Sequence, residues 1–306
     1  MTTLHGRTVL VTGGTGGIGK ETARRLARLA ARVVLVGRDL GRARSAVEEI
    51  RRDTGNGDIA ALTADLTRQR DVRRLAGELT DRYGALHVLV NNAGVVANRR
   101  ELTEDGVETA FAANVLAPFA LTHLLLPVLR ASAPARVVNV TGGIPRGRID
   151  LDNLQGEKSY VGLSSYNQTK LALMAMSYAF AERLAGTGVT VNVAYPGHAC
   201  TSMNKGLAST TYPVLARPVV PLLKLLMPVL YGGRAVVDAS RSSAHLASSP
   251  ELAGMHGTYV DSRGRPTRWP ASVRDERNRV AIWEMCRRLS PVDDARWPGR
   301  EWGSTG

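Results

Sequence analysis

Tyr166 and Lys170 lie four residues apart in Ser-Ser-Tyr-Asn-Gln-Thr-Lys-Leu-Ala-Leu-Met-Ala-Met, residues 164–176. The stretch reads as a helix, and at about 3.6 residues per turn the two side chains share one face. A phenol titrating near roughly 10 is a poor acid–base group at neutral pH. An ammonium held beside it favours the phenolate and is expected to bring that pKa down towards the working range. Such a pair can pass a proton to or from a carbonyl or alcohol oxygen. The spacing alone is weak evidence, and its meaning depends on what the rest of the chain places around it.

Thr8–Thr12 is a short aliphatic and β-branched run, the mark of a strand buried on both faces. A glycine-rich turn follows at once, supplying Gly13, Thr15, Gly16, Gly17, Ile18 and Gly19 before a helical pattern to about residue 30. In that order the parts make a phosphate site. Glycines let the backbone approach a pyrophosphate, and free N–H groups at the helix start point at the anion. Arg32–Gly37 reads as a second strand ending at Gly37-Arg38-Asp39. An acidic residue at that place binds the adenine-ribose hydroxyls, whereas an arginine suits a 2′-phosphate. Arg38 therefore favours NADP(H) over NAD(H), although Asp39 could also reach a ribose. Ile59–Thr63 is a third strand, followed by Asp65 and Leu66, which can flank an adenine ring; Asp65 could equally cap the next helix. A fourth strand over residues 86–90 ends in Asn91, Asn92, Ala93 and Gly94.

Taken in order, Thr12-Gly13-x-x-x-Gly17-x-Gly19, Asn91-Asn92-Ala93-Gly94 and Tyr166-x-x-x-Lys170 resemble the short-chain dehydrogenase/reductase family over residues 5–260. The fold this implies is an α/β one. A single doubly wound (Rossmann) parallel sheet of seven strands would carry helices on both faces, an apolar lid and a C-terminal extension. The strand–helix alternation points the same way independently. The resemblance implies that Asn114 breaks its helix and holds a water near Lys170; a plain cap or kink is the alternative. It implies that Asn92, Ala93 and Gly94 line the cofactor site. It also implies that Pro196, Gly197 and Thr201, matching Pro-Gly-x-x-x-Thr, hold the nicotinamide end.

One departure stands out. Relatives place a serine pair after the fifth strand, whose second hydroxyl bonds the substrate oxygen; here Arg136–Val140 is followed by Thr141-Gly142-Gly143. An ungapped strand end puts the hydroxyl position at bare Gly142, while the separation from Tyr166 favours Thr141, whose hydroxyl can donate the same bond. Thr141 is the candidate. Residues 147–160 are similar to retinol-dehydrogenase-like members and are expected in the substrate-pocket wall, unless they serve only to order the loop. Residues 202–232 read as a lid. Its apolar portion, with Arg217, Lys224 and four prolines between Pro213 and Tyr231, makes a poor membrane span and fits two amphipathic helices over an apolar pocket, with peripheral lipid contact as a second reading.

The apolar stripe of Leu121, Leu124, Leu125, Val128 and Leu129 fits either core or half of a homodimer interface. Residues 280–289 form an amphipathic pattern expected to pack beside the substrate pocket. The expected domain spans 1–290, with a mobile tail at 291–306. The net charge of +13 comes from 35 arginines and five lysines, which are scattered rather than gathered, so no nucleic-acid partner is expected. Two distant cysteines and six dispersed histidines give no disulfide or metal spacing and fit a cytoplasmic protein. The chain thus reads as an NADP(H)-dependent oxidoreductase interconverting a bulky hydrophobic alcohol and its ketone or aldehyde. A redox-neutral enzyme (isomerase, dehydratase or cyclase) on the same fold is the alternative, and a catalytically silent NADP-binding regulator a more distant one.

Overall fold

A computed structural model of the chain describes residues 3–144, 146–197, 208–212, 218, 220 and 233–292. Five consecutive apolar runs become parallel strands, all but the third of them buried almost throughout. They are β1 (Thr8–Thr12), β2 (Arg32–Gly37), β3 (Ile59–Thr63), β4 (Val88–Asn91) and β5 (Ala135–Val140). β6 (Val189–Ala194) and β7 (Tyr259–Val260) extend the sheet in parallel, and β8 (Pro266–Thr267) adds an antiparallel edge to β7. The order is β3-β2-β1-β4-β5-β6-β7-β8, one strand more than the seven expected. The extra strand is a two-residue hairpin partner with no hydrophobic run to announce it.

Alternate strand residues feed two cores. Val9, Val11, Val33 and Leu35 face α1 (Gly17–Arg28) and α2 (Leu40–Thr54). Leu10, Val34, Leu62 and Val137 face the opposite layer, built on α3 (Gln69–Tyr83) and the helices beyond it. β1 pairs with β2 on one side and β4 on the other, so the strand order reverses there. In an open α/β sheet the cleft outside the strand ends at that reversal is the expected ligand site.

The region around Asn114 is helical but not regular. α4 (Thr109–Phe111) passes into a π-helical turn at Ala112–Leu116 and then α5 (Ala117–Leu124) and α6 (Leu126–Ala131). A wide turn of this kind re-aims one side chain inside a helix, and Asn114 is the residue it re-aims. The buried carboxylate of Glu108 anchors the start, accepting from Ala110 N–H and Phe111 N–H at 2.9 and 2.7 Å and from the Tyr160 hydroxyl at 3.0 Å. Tyr160 therefore ties the 147–160 segment to this helix. None of residues 147–160 is among the described residues lining the cleft that runs from the glycine turn to the Tyr–Lys pair.

α7 (Gly162–Leu184) crosses behind β5 and β6 and carries the Tyr–Lys pair. α8 (Gly233–Ala239) and α9 (Arg241–Ser248) follow, then α10 (Ala271–Arg274) and α11 (Glu276–Leu289). α11 packs on α5 and α7; its expected place beside the substrate pocket turns on residues 202–232, nearly all of which lie outside the described residues. Trp283, only 4% exposed, stacks edge-on to Phe119 and Phe180 with ring centroids 5.1 and 4.8 Å away. The Arg183 guanidinium lies 3.9 Å over its ring. The reason is amphipathicity: Ile282, Trp283 and Cys286 fall on one face of α11, and the nearest uncovered aromatic surface belongs to α5 and α7. Leu121, Leu125, Val128 and Leu129 are buried within the chain itself. Trp283→Ala is expected to lower unfolding free energy by about 3–5 kcal/mol, measured by urea denaturation; a loss below about 1 kcal/mol would mean that α11 adds little to the packing.

Candidate active site

The glycine turn and the Asn-Asn-Ala-Gly segment are held to each other by one side chain. Thr12 Oγ1 accepts from Asn92 N–H and Ala93 N–H at 3.0 and 3.1 Å and donates to Val90 O. Asn92 Nδ2 returns a bond to Thr12 O at 3.0 Å. The backbone contacts leave no room for side chains. A Cβ at Gly13 would lie 3.0 Å from Ala93 Cα, and one at Gly19 would overlap Asn92 Nδ2 and Gly13 O. At the start of α1, Gly16 offers no capping side chain and the first turn carries no acid. The N–H groups there stay available to an anion.

One cleft of about 570 Å³ runs from this turn to the Tyr–Lys pair. Gly13, Thr15, Gly16, Gly17, Ile18, Arg38, Asp65, Leu66, Asn92, Ala93, Gly94, Thr141, Tyr166, Lys170, Pro196 and Gly197 all line it. Gly19 lies behind the wall as a packing residue, and Asn114 works from behind as well. Thr201, and nearly all of the expected lid and the 293–306 tail, lie outside the described residues. At the far end, Gly37 carries no acid where a ribose-binding carboxylate would stand, and a Cβ there would press on the Thr15 side chain. Asp39 caps α2, accepting from Arg42 N–H at 2.7 Å. Asp65 closes its own turn through Thr67 N–H and Oγ1 rather than capping α3. Arg42, which the sequence reading passed over, also lines this end, with its Nη2 3.4 Å from a Cβ built on Gly16. Its four-residue spacing from Arg38 was the available signal. The cradle, its anion-ready helix start and its arginine end fit a dinucleotide.

At the other end Asn114 Oδ1 accepts from Val95 N–H at 2.8 Å, and its Nδ2 donates to Val95 O and Thr169 Oγ1, both at 2.9 Å. Gly94 passes between, a Cβ there standing 3.4 Å from both Asn114 Oδ1 and Lys170 Nζ. Lys170 is 4% exposed, and its Nζ donates to Val140 O at 3.1 Å. It lies 5.7 Å from the Tyr166 ring centroid. Behind the pair, Asn91 Nδ2 donates to Asn139 Oδ1 and Asn139 Nδ2 to Ser177 Oγ, at 2.8 and 2.7 Å. That relay fixes α7 against β4 and β5.

Position 142 faces the tyrosine. A Cβ on Gly142 would lie 2.6 Å from Tyr166 Oη. Thr141 Oγ1 is buried, with no hydrogen-bond partner among the described residues. The pKa pattern corrects one expectation. Burial pushes the Tyr166 phenol above its ordinary value, with Tyr195 adding to the rise, and lowers Lys170 to about 8. Lys170 does not pull Tyr166 down, because both groups are stripped of water and desolvation dominates.

The lysine shift has a consequence for stability. Its folded pKa near 8 lies below the unfolded value of about 10.4, so the folded state binds fewer protons in that window and this contribution rises with pH. Wild type is expected to gain stability relative to Lys170→Met as pH rises from about 8 to about 10; other titrating groups cancel in the comparison. A pH-independent difference would contradict the burial of a titrating ammonium.

Comparison with known proteins returns a consistent picture. The family model for the short chain dehydrogenases matches residues 7–211. Retinol dehydrogenase 14 of Homo sapiens is 35% identical over 296 residues, covering 92% of this chain and 85% of that protein. Retinol dehydrogenase 12 of Mus musculus is 36% identical over 284 residues, covering 92% and 85%. Among solved structures, the Pseudomonas aeruginosa RhlG/NADP active-site complex superposes with a TM-score of 0.65 at 29% identity, covering 86% of this chain and 96% of that one. A short chain dehydrogenase from Burkholderia cenocepacia in complex with NADP gives 0.64 at 26% identity, covering 85% and 98%.

Proposed function

Because the chain belongs to the short-chain dehydrogenase family, retinol-dehydrogenase-like in its relatives, we propose that it uses NADP(H) to interconvert a bulky apolar alcohol and its ketone or aldehyde. The family makes it an alcohol/carbonyl oxidoreductase. The observation that carries the finer reading is the single cleft joining the glycine cradle, two arginines and the Tyr166–Lys170 pair. When bound, the nicotinamide gives or takes the hydride and, oxidised, brings positive charge beside the phenol.

Each residue then has a stated task. Gly13 to Gly19 hold the pyrophosphate against the start of α1, and Asp65 and Leu66 flank the adenine. Arg38 and Arg42 hold the 2′-phosphate, which arginine suits and which no carboxylate at Gly37 opposes. Asn92, Ala93, Gly94, Pro196 and Gly197, with Thr201 by resemblance, border the nicotinamide and its ribose. Lys170 binds the ribose hydroxyls. In reduction Tyr166 Oη gives its proton to the substrate oxygen; in oxidation it takes that proton back. The raised pKa keeps Tyr166 protonated for the reductive direction, and added positive charge lowers it for the reverse. Asn114 anchors a water path that returns protons through Lys170, and the Thr141 hydroxyl stands in the wall beside the reacting oxygen. The retinol dehydrogenase relatives and the apolar lid sequence favour an extended hydrophobic substrate.

Bare Gly142 favours one second reading, a redox-neutral reaction on the same site. It would show as product formed without change in nicotinamide absorbance. For the main reading, Tyr166→Phe is expected to lose on the order of 10²–10⁴ in kcat with little change in NADPH affinity, measured by steady-state kinetics and fluorescence titration. Near-normal turnover would remove the mechanism. Arg38→Ala combined with Arg42→Ala is expected to weaken NADPH binding tenfold or more, roughly the loss of a charge-assisted bond, while sparing NADH. Equal losses for both cofactors would reject the 2′-phosphate assignment.

A further inference from the structure

We propose that Asn167, the residue after the acid–base tyrosine, is a second hydrogen-bond donor to the substrate oxygen; this rests on the role given to Tyr166 above. Thr141-Gly142-Gly143 leaves β5 directly against the first turns of α7. A Cβ on Gly142 would stand 2.6 Å from Tyr166 Oη, and one on Gly143 would overlap Asn167 Oδ1. Consecutive residues of α7 therefore come down on consecutive glycines. The Gly-Gly pair is the landing surface for Tyr166 and Asn167, and neither glycine supplies a hydroxyl.

The orientation of the amide follows from chemistry. Asn167 Oδ1 accepts from Ile144 N–H at 3.1 Å, and only the carbonyl end of an amide can do so, which fixes the flip. The NH₂ end is turned away from Ile144. Asn167 is partly buried and lines the same cleft as Tyr166, and no described residue takes up its Nδ2. Thr141 Oγ1 is enclosed and without a partner among the described residues, whereas Asn167 is only partly buried where it lines the cleft. The Tyr195 hydroxyl, near Gly143 O at 3.5 Å, braces the loop from the opposite side. Asn167 transfers no proton: the proton moves from Tyr166 Oη to the oxygen, and the amide N–H holds that oxygen as negative charge develops.

Three variants separate a donor from a brace. Asn167→Asp keeps an acceptor for Ile144 N–H and loses the donors, Asn167→Leu keeps neither without adding charge, and Asn167→Ser retains a shorter donor. Kinetics are measured with NADPH and whichever of retinal, aliphatic aldehydes and aromatic ketones the wild type reduces. Both Asp and Leu are expected to lower kcat by about 10²–10³-fold, with Ser intermediate and NADPH affinity within a few-fold of wild type. Near-wild-type kcat in Asn167→Asp overturns the proposal and leaves Asn167 as a loop brace. Should Leu misfold by circular dichroism, the Asp and Ser variants decide between the same two outcomes. A Tyr166→Phe control tells the failures apart: if it stays active the acid–base reading falls, and if it is inactive while Asn167→Asp stays active only this inference falls.

Discussion

Lys170 carries an ammonium to the edge of the cleft with only 4% of its surface exposed, and much of the site is arranged around that fact. Desolvating a cation is costly, and the protein meets the cost with the carbonyl of Val140 at 3.1 Å and by letting the group's pKa fall to about 8. Val140 ends β5, Lys170 rides on α7, and Gly94 has no side chain where one would press on Nζ. The π-helical turn brings Asn114 to the other side of Gly94 through its bonds to Val95 and Thr169. Strand end, helix, loop and turn converge on one cation, and Tyr166 beside it inherits the same dry surroundings.

The two ends of the cleft obey different physics. At the arginine end the work is recognition of a polyanion by backbone N–H groups and guanidinium groups, helped by glycines that let chain segments meet. At the tyrosine end it is control of protonation in a low-dielectric pocket, where burial sets the sign of each pKa shift and a nearby positive charge lowers that of the phenol. The sheet connects them. β1 and β4 pair at the point where strand order reverses, and Thr12 stitches the glycine turn to the Asn-Asn-Ala-Gly segment at their ends.

The C-terminal helix plays a structural part that its amphipathic sequence only half discloses. Trp283 closes an aromatic cluster with Phe119, His123 and Phe180, and Arg279, above the Tyr178 ring at 4.7 Å, binds Glu182 at 3.3 Å. These contacts lie on the outer face of the helices that hold Asn114 and Tyr166. α11 thus buttresses the acid–base residues from behind, and of the apolar stripe Leu121, Leu125, Val128 and Leu129 are buried while Leu124 is half-buried.

Much of this architecture is local and therefore legible in residue order. β1, β2 and β3 occupy the runs expected, because strands buried on both faces are written as continuous apolar segments. The glycine turn, the Asn-Asn-Ala-Gly segment and the Tyr–Lys spacing are likewise local, and they carry the family. What depends on contacts between distant segments was not written there. The face covered by α11 is one case, since an amphipathic helix specifies that it needs a partner surface and not which. The direction of the Tyr166 shift is another, since it depends on how completely β5, the Asn114 turn and α7 exclude water. The third is Gly142: residue order shows a missing hydroxyl, but only the approach of α7 to the loop shows that Tyr166 itself fills the space where a side chain would stand.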